Sequence, residues 1–413
     1  MKEGDGVQYD VIVIGGGASG IVAAITAAEC GDKVLLIEAG DRIGRKISAS
    51  GNGRCNLMNR GIPLYYGDPD FAKQVLEHMD ASKQTEFWIE HGLFLKEDNR
   101  RRTYPTSDLS SSVLEILKAH LKKNQVEIRT GERVSTFTRD REKGFTVQSQ
   151  QGSYRTKRII LSCGGKAAKA LGGCEDGYQF MKGLGHTVTA LKPALTQIAT
   201  DPVSISGLKG IRQNGVNVRL MRNNDVNHQE TGEVLFTEYG ISGICVMQCA
   251  RFAEQGDQLQ LNFLPGLALS GIEECYEALK DRKTRLGFMK PQELLNGWLN
   301  SKLGYGILKK AGINMKVERL RDLPDEKLQD VAQTLAGYPM IVTGLNGFEN
   351  AQVTAGGVVC SDIDPDNMES KLCPGIHCTG ETLNVDGDCG GFNLMFAFAT
   401  GILAGRNRRQ NVL

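Results

Sequence analysis

The sequence predicts an α/β protein: a Rossmann-like, two-dinucleotide-binding-domain fold interrupted by a β-rich and a helical insertion. Three stretches carry that expectation. Asp10 to Ile14 (DVIVI) is a short β-branched run of buried-strand length, and it ends in a glycine turn, Gly15 to Gly20. A helical stretch from Ala18 to Cys30 then leads to a second apolar run, Lys33 to Ile37, closing on Glu38. Much later, Arg158 to Ser162 (RIILS) runs into Cys163-Gly164-Gly165, and Gly375 to Thr379 (GIHCT) runs into Gly380-Glu381.

The first stretch is a βαβ unit whose parts have separate tasks. Gly15 makes the tight turn, Gly17 lets a pyrophosphate approach the backbone, and Gly20 lets helix and strand pack closely. Ala18 and Ser19 open the helix, where free N–H groups and a partial positive charge suit a diphosphate. Glu38, followed by Ala39, can accept from both hydroxyls of an adenosine ribose, and its charge repels a 2′-phosphate. The expected ligand is therefore FAD or NAD and not NADP.

Whole-chain properties exclude several classes. The chain has 413 residues and a formal net charge of +1, so no basic excess points to nucleic acid. Only Arg406, Arg408 and Arg409 form a short basic end. No run reaches the roughly eighteen apolar residues of a membrane span, and no signal-peptide core is present, so the cytoplasm is expected. Eleven cysteines without a CxxC spacing read as reduced, mostly buried thiols, and no metal site is expected.

After Glu38 comes a glycine-rich, basic loop, AGDRIGRKISASGNGRCNLMN. Such composition makes poor core material, so a functional role is expected. Arg42, Arg45 and Lys46 bring cations toward the phosphates, and Ser50, Gly51, Asn52, Gly53 and Cys55 can fold over a planar ring. Helical spacing follows from Asp70 to Gly92, and again with Val113, Ile116, Leu117 and Leu121. Alternating runs from Val126 to Lys157, Val134 among them as a cofactor contact, read as a small meander. From Leu191 the pattern turns to short strands, and from Ser270 to about Leu335 to helices, with Leu294 to Leu299 read as helical and Pro291 and Pro324 at helix starts. The expected domains are residues 1–190 with 346–413 for the cofactor, 191–265 with 336–345 as a β-rich insertion, and 266–335 as a helical one.

The C-terminal block is a second cofactor device. A strand, the pair Gly380-Glu381, a polar loop containing Asp386, and a helix starting near Gly390, Gly391, Phe392 and Asn393 follow one another. Helix N–H groups there can face a flavin pyrimidine oxygen and stabilise an anionic reduced ring. Glu381, or Asp386, can hold the ribityl or phosphate region, and Gly164 belongs to the same set.

These blocks resemble the bacterial FAD flavoproteins of the YhiN/BaiN type, aminoacetone oxidase-like or 3-dehydro-bile acid reductase-like. The resemblance runs from VIVIGGGASGIVAA through RKISASGNGRCNLMN, TYPTSDLSSSV and DGYQFMKGLGH to CTGETLNVDGDCGGFNLMFAFATG. It implies FAD, a β-barrel-like and a helical insertion, and flavin redox chemistry. By that resemblance the expected activity is NAD(P)H-linked reduction of a conjugated C=C bond in a 3-oxo steroid or bile-acid-like substrate. The alternatives are a flavin amine oxidase using O2 and a non-catalytic flavin-binding accessory protein. Arg54, Asn56 and Tyr104, and with them His377, are candidates to polarise a carbonyl or move a proton. No second GxGxxG follows a strand, so NADH or NADPH is expected as a transient donor on the flavin face. The expected partner is a small-molecule substrate, with no nucleic acid and no membrane; the oligomeric state stays open.

Overall fold

A computed structural model describes residues 8–140 and 144–406. Arg408 and Arg409 of the basic end lie outside the described residues. The chain divides into two compact units, one comprising residues up to 192 together with those from 352, the other residues 193–351.

In the first unit β1 (Gln8–Ile14), helix α1 (Ala18–Glu29) and β2 (Val34–Glu38) form the expected βαβ. Helices α2 (Pro69–His78), α3 (Ala81–Glu90) and α4 (Ser110–Lys123) lead to β3 (Glu127–Thr130). Asp80 breaks the predicted single helix over 70–92, accepting from the N–H groups of Ser82 and Lys83 to cap α3. The meander is β4 (Val134–Asp140), β5 (Gly144–Ser149) and β6 (Ser153–Leu161), and β7 (Ile376–Cys378) and helix α5 (Phe392–Arg406) close the unit. The sheet runs β3-β2-β1-β6-β5-β4, with β7 paired parallel to the C-terminal half of β6. β1 lies parallel to both β2 and β6, with Ile14 opposite Ile37 and Leu161. The three central strands are therefore buried on both faces, which is why they read as unbroken apolar runs. β1, β6 and β7 also end at one edge, the place where open α/β sheets bind ligands.

Helix α5 packs directly against α1 through small residues. A Cβ on Gly401 would come within 2.2 Å of Ser19 O, and one on Gly405 within 2.6 Å of Ala23 O. The contacts advance together, so the helices are parallel. Arg158 on β6 fixes the far end of α5. It donates to Ala404 O at 2.7 Å and Gly405 O at 3.1 Å and pairs with Asp32 at 2.7 Å, satisfying helix-terminal carbonyls with a cation.

The second unit has its own apolar core, shared by barrel strands and helices. Six strands close a barrel in the order Ile198–Thr200, Gly240–Ser242, Asp225–Phe236, Arg212–Arg222, Gln258–Asn262 and Tyr338–Leu345. Its helices include Ile272–Arg285, Ser301–Lys310 and Asp325–Ala336. Residues Leu294 to Leu299, expected to be helical, instead form turns before Asn300, whose side chain caps the helix from Ser301. Pro291 opens only a three-residue 3-10 turn. Among the described residues, no helix is long and apolar enough to cross a membrane.

Candidate active site

The glycine turn has the geometry that a phosphate cradle requires. Gly15 has φ +107°, and a Cβ there would stand 2.3 Å from Ser162 O. A Cβ on Gly20 would lie 1.9 Å from Gly15 O, so helix and turn touch backbone to backbone. Gly17 is different: a Cβ there would meet nothing within 4 Å. Gly17 is also the N-cap of α1 and no side chain caps that end, so the first-turn N–H groups, those of Ala18 and Ser19 among them, face this open space unpaired by any cap.

Glu38 ends β2 with both carboxylate oxygens fixed. Oε2 accepts from Gly16 N–H at 2.7 Å and Oε1 from Gly40 N–H at 2.6 Å. Each oxygen keeps a further lone pair for a hydroxyl. Exposed Ala39 follows. The backbone ties Glu132 N to Glu38 O and Gly131 N to Gly40 O, which brings buried Val134 at the start of β4 to the same end of the sheet. Glu38→Ala removes the two fixed oxygens, and FAD retention should weaken by about 1–3 kcal/mol. Dilution of the loaded protein followed by flavin fluorescence measures this; unchanged flavin content contradicts the assignment.

The basic loop is more tied down than its composition suggests. Arg42 is exposed. Arg45 donates to Ala170 O at 2.8 Å and lies 3.6 Å from Asp41. Lys46 reaches Glu381 at 3.0 Å, and Glu381 also accepts from Thr354 N–H at 2.8 Å. The front and back cofactor blocks are thus joined by an ion pair. Gly164, at φ +73°, accepts through its carbonyl from Thr382, whereas Gly165 leaves no room for a Cβ against Glu381. Gly380, at φ +65°, donates its N–H to Thr400 of α5.

Residues Ser50–Gly53 form a tight turn with left-handed backbone at Gly51, Asn52 and Gly53, repeated at Cys55. Ser50 donates to Ile47 O. Cys55 is fully buried, and burial pushes its thiol up to about 12, so it packs as an uncharged side chain. Burial likewise raises the Cys163 and Cys174 thiols. All eleven cysteines are free thiols, and none of these three has the depressed pKa of a redox thiolate.

Beneath this turn lies Tyr104, 3% exposed, with the Arg54 guanidinium 4.5 Å and the Arg102 guanidinium 6.0 Å from its ring centroid. Its hydroxyl makes no hydrogen bond among the described residues. Asn56, two residues past Arg54, is buried, and its Oδ1 has no hydrogen-bond partner. A Cβ on Gly391 would sit 2.7 Å from that oxygen. The orphaned acceptor therefore lies beside the start of α5. Asn59, absent from the expected set, locks the same corner by donating to Gly390 O at 2.9 Å and accepting from Gly61 N–H at 2.8 Å. Its only signal in the sequence is its place at the end of the GRCNLMN block.

At the head of α5, Tyr65 donates to Phe392 O at 2.9 Å. The Asn393 amide makes two bonds to Gly387, one to its N–H and one to its carbonyl, so it holds the loop, and only its backbone is left for a ligand. Asp386 is buried in that loop, paired in register with Tyr66. His377 is buried in β7 with Nδ1 2.9 Å from Asn367 O, the setting of a packed strand histidine. Because α1 and α5 are parallel and Gly401 meets Ser19, the stretch from Phe392 to Gly401 carries the start of α5 about 13 Å beyond the start of α1. Two helix N-termini thus face the same end of the fold, staggered along one line.

The family model described as HI0933-like protein Rossmann domain matches residues 9–407. The chain is 38% identical over 405 residues to a Clostridium scindens protein named 3-dehydro-bile acid delta(4,6)-reductase, covering 95% of this chain and 97% of that one. It is 26% identical over 404 residues to an Escherichia coli protein named ribosomal RNA dihydrouridine synthase, covering 95% and 96%. It is 28% identical over 410 residues to a Haemophilus influenzae protein of the same name, covering 95% and 97%.

Proposed function

The chain belongs to the HI0933-like family and is an FAD-dependent oxidoreductase, and on that premise we propose that it reduces a C=C bond conjugated to a ketone in a 3-oxo steroid or bile-acid-like substrate. The observation that carries this reading is the end-to-end 38% identity to a protein named for that reaction. NADH or NADPH is the proposed electron donor, and the cytoplasm the proposed compartment.

The residues present fit FAD on two observations. The space before Gly17 is open at an uncapped helix start, and the orphaned Oδ1 of Asn56 beside Gly391 lacks the donor that a flavin pyrimidine N–H offers. Gly15, Gly17, Ala18, Ser19 and Gly20 would hold the diphosphate, and Glu38, Ala39 and Val134 the adenosine. Lys46 and Glu381 would border the ribityl chain, and Gly390, Gly391 and Phe392 the ring. When bound and reduced, FAD supplies a hydride.

The chain's own residues supply the rest. The Arg54 guanidinium donates to the substrate ketone oxygen, which draws charge from the β-carbon and stabilises the developing enolate. The Tyr104 hydroxyl, without a hydrogen-bond partner among the described residues, delivers the proton to the α-carbon. Burial of the Tyr104 ring fixes the direction of that hydroxyl, and Arg54 above it holds positive charge where the enolate forms.

A second reading takes its support from the two relatives named for dihydrouridine synthesis. The uracil 5,6 double bond is also conjugated to a carbonyl, so the same residues would meet the same electronic demand. The near-neutral charge gives an RNA little to grip.

Anaerobic stopped-flow separates the readings. The bound flavin should bleach with NADH or NADPH and reoxidise with a 3-oxo-Δ4 steroid faster than with O2 or a uridine-containing RNA fragment. Reoxidation by O2 alone, with peroxide released in proportion to an amine consumed, would overturn the proposal in favour of the oxidase.

A further inference from the structure

We propose that Glu29, His91 and His120 form a binding site for a divalent first-row cation of the Zn2+ class, at the end of α1 opposite the phosphate cradle. The three residues come from separate helices. Glu29 is the last residue of α1, His91 is the C-cap of α3, and His120 lies in the last turn and a half of α4. Their nearest ligand atoms all lie within 4.8 Å of one another.

The hydrogen bonds determine which ring nitrogens are free. His91 Nδ1 is 2.6 Å from Phe87 O, and a carbonyl can only accept, so Nδ1 carries the hydrogen. His120 Nε2 is 3.1 Å from His91 O and carries its hydrogen for the same reason. In the neutral rings, His91 Nε2 and His120 Nδ1 are then bare lone pairs. Both face one carboxylate oxygen, Glu29 Oε1, at 3.2 Å and 3.8 Å. Three electron-rich atoms converge on one place. One proton can bridge Glu29 to one ring and leaves the other ring nitrogen, His120 Nδ1, without a partner. A metal cation engages all three.

Three further features agree. Each imidazole directs its second nitrogen to a backbone carbonyl, the outer-shell arrangement that orients histidine ligands. Asn124 adds a bond to Glu29 Oε1 at 3.4 Å. The C-terminal ends of α1, α3 and α4 meet here, so three partial negative charges favour a cation, whereas an acid at a helix C-terminus is by itself unfavourable. Tetrahedral ligands on bonds of about 2.0–2.1 Å lie roughly 3.3 Å apart, so one edge is in place and small side-chain rotations close the others. With three protein ligands, the fourth position falls to water on the half-exposed Glu29 side. These ligands follow no local spacing, so no metal motif marks them in the sequence.

The expected role is a clamp on three helices. The length of α1, roughly 17 Å, separates the cation from the cradle, so loss of the metal should lower stability and spare the chemistry. The test uses FAD-loaded protein stripped with a chelator, then titrated with Zn2+ against a chromophoric chelator, and separately with Co2+ for its visible ligand-field bands. One equivalent of Zn2+ should bind and raise the melting temperature. Glu29→Gln and His120→Ala, both at partly exposed positions, should each weaken binding about 100-fold or more and abolish the metal-dependent rise. Asn124→Ala should weaken it about 10-fold. Binding no tighter than that of the Glu29→Gln/His120→Ala double variant, or a melting temperature that ignores Zn2+, overturns the proposal.

Discussion

Gly17→Val should purify as a folded protein that is colourless and stays colourless when incubated with FAD. The backbone at Gly17 has φ −83° and ψ −165°, an extended conformation that valine adopts readily. A Cβ there meets nothing within 4 Å, so the apoprotein gains no clash. The new methyls instead fill the space in which a diphosphate would approach the first N–H groups of α1. Loss of those contacts should weaken FAD binding by at least about 100-fold, or about 3 kcal/mol. Gly20→Ala makes the contrast, because its Cβ would stand 1.9 Å from Gly15 O, and the fold itself should suffer. Far-ultraviolet circular dichroism and the melting temperature of the apo forms separate the two outcomes. A Gly17→Val protein that retains yellow flavin at wild-type stoichiometry would remove the cradle from this end of the sheet.

The contrast between these glycines also shows what was legible in the sequence. The βαβ unit could be read because its signals are local: an apolar run, a glycine turn, a helix and an acid fall within thirty residues, and each is decided by its neighbours. The closure of the barrel could not be read as easily. Strand Asp225–Phe236 shows its strand character in sequence only from Glu233, because its first half is polar and largely solvent-facing. Leu294 to Leu299 carried helical spacing, yet the chain turns there and the helix starts after Asn300, where a side chain can satisfy the free N–H groups. Within the candidate site, the residue types were legible and their pairings were not. Lys46 meets Glu381 across 335 positions, and Asn56 meets Gly391 across a comparable distance in the chain. Such contacts depend on how α5 returns along α1, which is a matter of small residues at Gly401 and Gly405 and not of any motif.

The second large effect is expected at Arg54. An exposed arginine stacked on a buried tyrosine contributes little to folding, since its head remains in solvent and no carboxylate pairs with it among the described residues. Arg54→Ala should therefore leave the melting temperature and flavin content nearly unchanged. If its guanidinium holds the ketone oxygen as charge develops, its removal should slow substrate-driven flavin reoxidation by about 10²–10³-fold, or about 3–4 kcal/mol. Reduction of the flavin by NADH or NADPH makes no use of that oxygen and should keep its rate. Arg54→Lys retains the charge but not the planar fork, so it should recover only part of the loss. Tyr104→Phe keeps the stacked ring and removes the proton source. It should slow reoxidation by a smaller factor, on the order of 10–10², leave water to protonate the α-carbon, and give a solvent isotope effect on that step at least as large as that of the unsubstituted protein. The two half-reactions thus give each residue its own signature. Equal slowing of both would mean that Arg54 positions the cofactor and not the substrate, and an unchanged reoxidation rate would take both residues out of the chemistry.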